Sequence, residues 1–94
     1  LEIQWYDVGS YEALAPHLPD DGKGNNVTGL TVSVDSARNL LINDRSDAVL
    51  VVAGLHDMAV VSTDRATLVV PLSQSQQVKD VVAEVATRAG GRYA

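Results

Sequence analysis

The chain has 94 residues, a length that allows one small domain and argues against a complete enzyme with both a cofactor and a substrate site. Apolar residues make up 46% and charged residues 20%, so we expect a folded chain, and no apolar run approaches the ~20 residues of a membrane helix. The net charge of -5 repels a phosphate backbone, which makes nucleic acid a poor partner. With no cysteine, disulfides and thiolate metal sites are excluded, and a reducing cytosol is acceptable.

The amino-terminal part is acidic and holds three of the four aromatic residues, namely Trp5, Tyr6 and Tyr11. Such a cluster predicts either a surface that faces something outside this chain or a local aromatic cap over its own core. Residues 10–18 predict a short helix, because Pro16 disfavours a longer one, and residues 19–26 predict a loop. The sequence begins without an initiator Met or a signal core, so we expect a piece of a longer chain.

The middle of the chain is a succession of short β-branched runs separated by small polar residues. The runs begin about every 8 to 10 residues, which leaves no room for helices and predicts a meander, a barrel or a solenoid. Two of them, at 48–52 and 66–70, resemble each other and give a weak repeat signal. The predicted strands are Val27 to Val34, Asn39 to Asn43, Ala48 to Ala53, Met58 to Thr63 and Ala66 to Val70. A body rich in aliphatic residues and free of aromatic ones suits stacked solenoid rungs.

The carboxyl-terminal part predicts a helix. Ser73 and Gln76 have the spacing of a capping box, and Gly90-Gly91 marks the end of the helix. One apolar stripe runs along it, which is typical of a lid on a core and less typical of a ligand site. The stripe consists of Val78, Val81, Val82, Val85, Ala86 and Ala89.

Most candidate chemical motifs are absent or incomplete. His17 and His56 lack the spacing of a metal-ligand pair, and no serine lies in a G-x-S-x-G context. The tripeptide Gly22-Lys23-Gly24 lacks the spacing of a phosphate-binding loop, which favours a solvated turn.

Asp7 is the exception, because aromatic residues precede it and Gly9, which permits a tight turn or the close approach of a ligand, follows it. Such a carboxylate could hold a hard cation. It supplies at most two of the six oxygens that magnesium requires, so other ligands would have to complete the site. The alternative is that Asp7 is an ordinary turn residue.

The segment from Trp5 to Tyr11 resembles the W-x-D-V-G-[ST]-[WY] motif of the mannose-1-phosphate guanylyltransferases. Further landmarks of that family follow in order along nearly the whole chain. They are Asp21-Gly22-Lys23-Gly24-Asn25, the turn Asp35 to Asn39, the stretch Gly54 to Val69, and Val78-Lys79-Asp80-Val81-Val82. The sequence departs from the family pattern at Tyr11, where Trp is usual, and at Arg65, which interrupts an acidic pair and makes that surface less acidic.

The resemblance implies a mainly β fold. Residues 1–26 would be the end of a nucleotidyltransferase domain and a linker loop, with a short helical turn. Residues 27–72 would form a short left-handed β-helix, a single-stranded solenoid, and residues 73–94 a capping α-helix and tail.

It also implies the carboxyl-terminal region of a cytoplasmic enzyme that converts GTP and mannose 1-phosphate to GDP-mannose and diphosphate, with Mg²⁺ as cofactor. Asp7 would be a metal ligand, and Trp5 and Gly9 would lie near the substrate. The missing amino-terminal nucleotidyltransferase domain would supply the nucleotide-binding residues, so we expect no catalytic residue and no activity in the fragment alone. In this family the β-helix typically contacts the catalytic domain and a second subunit, so we expect a homo-oligomer without a nucleic-acid or membrane partner.

Two alternatives stay open. A pyrophosphorylase for another sugar 1-phosphate fits the same motif, because Asp7-Val8-Gly9 does not specify the sugar or the base. A non-catalytic β-solenoid used only for oligomerisation requires no more than the aliphatic runs and the capping helix. The upstream sequence, with or without a glycine-rich nucleotide loop, distinguishes them.

Overall fold

The computed structural model describes residues 4–93. The strands are β1 (Asn26–Thr28), β2 (Thr31–Val34), β3 (Leu40–Asn43), β4 (Leu50–Ala53), β5 (Met58–Ser62) and β6 (Thr67–Pro71). The helices are α1 (Tyr11–Leu14) and α2 (Val78–Arg88), with 3₁₀ helices at Trp5–Ser10, Ala15–His17, Leu72–Gln77 and Gly91–Tyr93. The predicted short amino-terminal helix and the loop after it are confirmed.

The strands stack as parallel rungs in two sheets. From β1 to β5 the chain alternates between a sheet of order β1-β3-β5-β6 and a two-stranded sheet of β2 and β4. Pairing is parallel between β1, β3 and β5 and between β2 and β4. At the turns, the backbone N–H of Leu55 donates a hydrogen bond to the hydroxyl of Ser36, which lies 19 residues earlier in the chain. The same spacing joins Thr31 to Leu50 and Leu40 to Ala59, so these rungs take 19 residues, whereas the step from Asn26 to Leu40 takes 14. The mainly β, rung-stacked fold is confirmed, and its left hand stays a prediction.

The predicted strand from Val27 to Val34 is wrong, because the chain breaks at Gly29 and Leu30 and passes from one sheet to the other. Gly29 has φ +81°, and a Cβ at this position would lie 2.0 Å from the carbonyl oxygen of Asn43. Only glycine fits this corner, since both the backbone conformation and the close approach exclude a side chain.

The predicted similarity of the runs at 48–52 and 66–70 does not reflect equivalent positions. β4 lies in the two-stranded sheet, whereas β6 folds back and pairs antiparallel with β5, with Met58 opposite Pro71. Thr63 closes that hairpin, because its backbone N–H and its hydroxyl both donate to the carbonyl of Ala66. The solenoid therefore ends in a hairpin.

Two apolar clusters lie on opposite faces of the four-stranded sheet. One face packs against the helical segments from both ends of the described chain, through Leu40, Ile42, Ala59, Val61, Leu68 and Val70. The other face packs against the two-stranded sheet, through Leu41 and Val60 beside Val52. The molecule thus has three layers, with helices first, then the four-stranded sheet, then the β2–β4 sheet.

The carboxyl-terminal helix α2 covers one face of the four-stranded sheet, as predicted, although it does not begin at the predicted capping box. The capping box at Ser73 is wrong, since Leu72–Gln77 is a 3₁₀ helix and α2 begins at Val78 without a side-chain cap. Val78 is buried, and Val81, Val82 and Val85 pack on the core. Ala86 and Ala89, which the stripe also included, are exposed.

Two buried asparagines stack between consecutive rungs. The Asn25 carboxamide donates to the carbonyl of Ser36, and the Asn39 carboxamide makes the corresponding bond to the carbonyl of Leu55. The Asn25 Oδ1 accepts from the backbone and side-chain nitrogens of Asn39, whose own Oδ1 accepts from Met58 N. Both side chains are fully buried, so these bonds satisfy carboxamide groups that water cannot reach.

We expect Asn39→Ala to lower the free energy of unfolding by about 2 kcal/mol or more, because it leaves the Met58 N–H without its acceptor and removes one of the two donors to the Leu55 carbonyl. Asn26→Ala is the matched control, since its half-buried side chain makes one hydrogen bond of 3.4 Å, to the carbonyl of Ala15. Its cost should stay below about 1 kcal/mol in urea denaturation. Equal losses in the two variants would contradict the role given to the asparagine stack.

Candidate functional site

The segment Trp5–Ser10, which carries the candidate site, is anchored in the core. Trp5 and Val8 are buried, at 2% and 0% exposure, and the Trp5 indole N–H donates to the carbonyl of Tyr93 at 3.0 Å. Tyr6 meets the Trp5 ring edge-on, with centroids 6.0 Å apart, and remains exposed. Tyr11 packs partly on the same core. The local-cap interpretation of the aromatic cluster is therefore right for Trp5 and Tyr11, and Tyr6 alone faces solvent.

Asp7 lies between the two anchors and is half-buried. Its Oδ2 accepts a hydrogen bond of 2.9 Å from the backbone N–H of Gln4, and its own N–H donates to the carbonyl of Gln4 at 3.0 Å. Both bonds close the first turn of the 3₁₀ helix, so Asp7 has a structural task whether or not it binds a cation. Its assignment as a metal ligand stays a prediction.

Gly9 is approached by another part of the chain. Its carbonyl accepts a hydrogen bond of 2.9 Å from the Gln76 carboxamide, and a Cβ added at Gly9 would meet the Ser75 carbonyl at 3.8 Å, an ordinary contact. The neighbour of Gly9 in this structure is thus the 3₁₀ helix Leu72–Gln77. The expected proximity of Trp5 and Gly9 to a substrate stays a prediction.

Asp7 fits magnesium as a single ligand and not as a complete site. Within residues 4–93, no group of three or more His, Asp or Glu side chains is placed so that it could hold a metal ion. Magnesium in phosphoryl-transfer sites commonly takes one or two carboxylates together with substrate phosphates and waters. One partly exposed carboxylate on a fixed helical turn is compatible with that arrangement.

A polar depression beside Tyr6 was not predicted from the sequence. It has a volume of about 330 Å³, and its lining includes Tyr6, Asp44, Thr63, Asp64 and Arg65. The signal available in the sequence is the pair of Asp-Arg dipeptides at 44–45 and 64–65, which lie among the polar residues that separate the predicted strands. The register that places both turns beside Tyr6 could not be inferred from the dipeptides themselves.

The loop with Gly22-Lys23-Gly24 is a network of local turns. The Asp20 and Asp21 carboxylates accept from the backbone N–H groups of Gly22 and Lys23, at 2.6 and 2.8 Å. Desolvation would raise the pKa of the Asp21 carboxyl, but hydrogen bonds from the Asn25 side chain, two backbone N–H groups and Ser33 lower it overall. The prediction of a solvated turn is confirmed, and Lys23 is exposed there.

The turn between the rungs carries an exposed ion pair. Arg38 and Asp57 occupy equivalent positions 19 residues apart, both with positive φ, and the guanidinium Nε lies 2.9 Å from the carboxylate. Its hydrogen bond lowers the pKa of the Asp57 carboxyl below the usual value. At such exposure the pair contributes little to stability.

Across residues 4–93, no helix is long and apolar enough to cross a membrane.

Parallel rungs, a stack of buried turn asparagines and a capping helix define a β-helix domain. The family described as "MannoseP isomerase/GMP-like beta-helix domain" matches residues 29–85, more than half of the chain. This chain belongs to that family, which confirms the resemblance inferred from its motifs.

Several characterised proteins are similar to it. Mannose-1-phosphate guanylyltransferase of Escherichia coli is 42% identical over 83 residues, which cover 87% of this chain and 17% of that protein. Alginate biosynthesis protein AlgA of Pseudomonas aeruginosa is 34% identical, covering 90% of this chain and 17% of that protein. A solved structure described as mannose-1-phosphate geranyltransferase from Thermus thermophilus superposes with a TM-score of 0.65 at 26% identity, over 84% of this chain and 24% of that one. The chain spans about a sixth of the length of these sequence relatives.

We expect Asp7→Ala to cost about 1 kcal/mol of unfolding free energy, because it removes the acceptor for the Gln4 N–H in the first helical turn. Asp7→Asn keeps an oxygen at this position and should cost only a few tenths of that amount. Urea denaturation of both variants tests the pair. If the alanine variant were as stable as the unmodified chain, the hydrogen bond between Gln4 and Asp7 would not contribute to the stability of the fold.

Proposed function

We propose that this chain is the carboxyl-terminal β-helix region of a mannose-1-phosphate guanylyltransferase, that it supports the active site and the assembly of the enzyme, and that it is inactive alone. The observation that carries this proposal is the 42% identity to the Escherichia coli guanylyltransferase across 87% of the chain. The match to the family of β-helix domains supports it, and the parallel rungs of both sheets agree with that family's description.

The proposed reaction joins two phosphates. A phosphate oxygen of mannose 1-phosphate attacks the α-phosphorus of GTP, the bond from that phosphorus to the bridging oxygen breaks, and diphosphate leaves. Magnesium, when bound, neutralises negative charge on the triphosphate. The guanine base and the triphosphate require binding loops of a kind that this β-helix is not expected to supply. The proposal therefore assigns nucleotide binding to the remainder of the longer protein.

The contribution of this chain is to position the carboxylate of Asp7. Trp5 and Val8, on either side of it, are buried in the core beneath the four-stranded sheet. The hydrogen bond from Gln76 to the Gly9 carbonyl holds the far end of the same 3₁₀ helix against the segment that precedes α2. A short helix fixed at three points keeps the Asp7 side chain in one orientation, which is what preorganised charge stabilisation requires.

The isolated chain should release no diphosphate above the blank when it is incubated with GTP, mannose 1-phosphate and Mg²⁺. The reason is that the residues from 4 to 93 include no group of three or more acidic or histidine side chains that could hold a metal ion, and that Gly22-Lys23-Gly24 lacks the spacing of a phosphate-binding loop. An enzyme-coupled diphosphate assay measures this, with the full-length parent as the positive control. Diphosphate release by the isolated chain would place the active site within residues 1–94 and refute the proposed division of labour.

In the full-length parent, Asp7→Asn keeps the shape of the side chain and removes its charge, so we expect turnover to fall about a hundredfold or more, which corresponds to ~3 kcal/mol of barrier. The Mg²⁺ concentration for half-maximal activity should rise, while the melting temperature stays nearly unchanged. Asp80→Asn, on the exposed side of α2, is the matched control and should leave both readouts as they are. Normal turnover and Mg²⁺ dependence in Asp7→Asn would show that Asp7 is a turn residue only.

A further inference from the structure

The polar depression beside Tyr6 lies between two turns that internal hydrogen bonds fix in place. The backbone N–H of Asp44 donates to the carbonyl of the last residue of β5 at 2.8 Å, which ties the turn after β3 to that strand. The buried carboxamide of Asn43 closes the same turn by donating to a carbonyl five residues on. In the turn after β5, the buried Thr63 hydroxyl accepts from the backbone N–H of Arg65. The depression is therefore formed before any ligand binds, as small-molecule sites usually are.

Tyr6 forms an aromatic wall of the depression. Its side chain is 44% exposed, and it meets the buried Trp5 ring edge-on, with an angle of 76° between the two ring planes. This contact fixes the orientation of the Tyr6 ring and leaves part of its surface open to a ligand. An open aromatic ring suits the face of a pyranose that carries C–H groups, while the hydroxyls at the rim of the sugar reach polar side chains.

The polar wall of the depression offers both hydrogen-bond acceptors and a donor. Asp44, Asp64 and Arg65 are exposed, and no hydrogen bond joins their side chains to another residue between 4 and 93. Sugar hydroxyls both donate and accept, so two carboxylates and one forked guanidinium can pair with several of them at once. Arg65 is a position at which this sequence departs from the family pattern, so the guanidinium is a feature of this chain and not of the family motif.

The charge of the depression selects the class of ligand. Two carboxylates against one guanidinium make it negative, as is the net charge of -5, so a phosphate ester is repelled. The guanidinium in turn disfavours an organic cation, and residues 4–93 provide no group of three acidic or histidine side chains for a metal ion. A neutral ligand rich in hydroxyls fits these conditions. The volume of about 330 Å³ is at the lower end of small-molecule sites, which suits a single sugar unit.

We propose that the depression beside Tyr6 binds one neutral hexose unit, with the pyranose ring against Tyr6 and its hydroxyls on Asp44, Asp64 and Arg65. The proposal goes beyond the proposed function and rests on it only for the identity of the sugar, which is mannose. The depression is open and its polar groups are exposed, so binding is weak, with a dissociation constant on the order of 1–10 mM.

An NMR titration of the 94-residue chain, labelled with ¹⁵N, with methyl α-mannopyranoside up to about 50 mM tests the proposal. The backbone amide resonances of Asp44, Asp64 and Arg65 should shift and reach saturation. Mannose 1-phosphate should bind at least about fivefold more weakly, because its phosphate is repelled by the negative depression. The two titrations therefore distinguish a neutral mannoside from a mannosyl phosphate as the source of the sugar.

Three substitutions test the roles of the two walls. Tyr6→Ala should weaken binding at least about fivefold, whereas Tyr6→Phe should keep it within about twofold, because the ring itself forms the wall. Asp64→Asn should weaken binding about threefold or more, because it removes a charged acceptor. Asp35→Asn is the matched control, since Asp35 is also an exposed carboxylate in a turn but does not line this depression. The resonance of the buried Trp5 indole N–H shows whether each variant is folded.

Three results would overturn the proposal. One is the absence of a saturable shift at the highest mannoside concentration. Another is binding of mannose 1-phosphate as tight as that of the mannoside. The third is unchanged affinity in a folded Tyr6→Ala variant. No nucleotide enters this measurement, so its failure leaves the proposed nucleotidyl transfer standing, and failure of the transfer assays leaves the measured sugar binding standing.

Discussion

The fold depends on keeping consecutive rungs in register at the turns, where a solenoid has no regular ladder of backbone hydrogen bonds. Here Asn25 and Asn39 do this, because each carboxamide bonds to backbone groups of the following rung. Their burial makes the arrangement strict, since an amide that loses its partner in the interior costs free energy and cannot turn to water. The register that they set then brings the aliphatic residues of β1, β3 and β5 into common rows.

The need to keep the rungs in register also explains why the family motifs lie at turns. The landmark Asp21 to Asn25 is a turn closed by the Asp21 carboxylate, and it ends at the first of the two stacked asparagines. Asp35 to Asn39 contains two residues of positive φ, the buried Ser36 and the second stacked asparagine. Most of the resemblance therefore lies in residues that build the solenoid. It identifies the domain well and says little about the reaction, in which Asp7 is the one residue of this chain with a proposed part.

The sequence predicted most elements because β-branched runs and small polar breakers are local signals, and the helix of residues 78–88 follows from its valine stripe. It missed the corner at Gly29, since one glycine in a β-branched run shows nothing of the Asn43 carbonyl that lies against it in the next rung. It also missed that β6 folds back antiparallel to β5. A hairpin turn such as the one at Thr63 and a crossover to the other sheet are both built from small polar residues, so composition alone does not distinguish them. For the candidate site, the aromatic anchors were found, but the depression beside Tyr6 brings together turns that are distant in sequence.

The hairpin of β5 and β6 shapes the surface as well as the end of the solenoid. A further step of 19 residues from Leu50–Ala53 would begin at Val69, which instead lies in β6 of the four-stranded sheet. The two-stranded sheet thus stops at β4, while the four-stranded sheet continues to β6 and offers its other face to α2 and the Trp5 helix. Because the helices cover one side only, the segment with Asp7 is anchored at that side, and the outward valines of β2 and β4 remain exposed at the other.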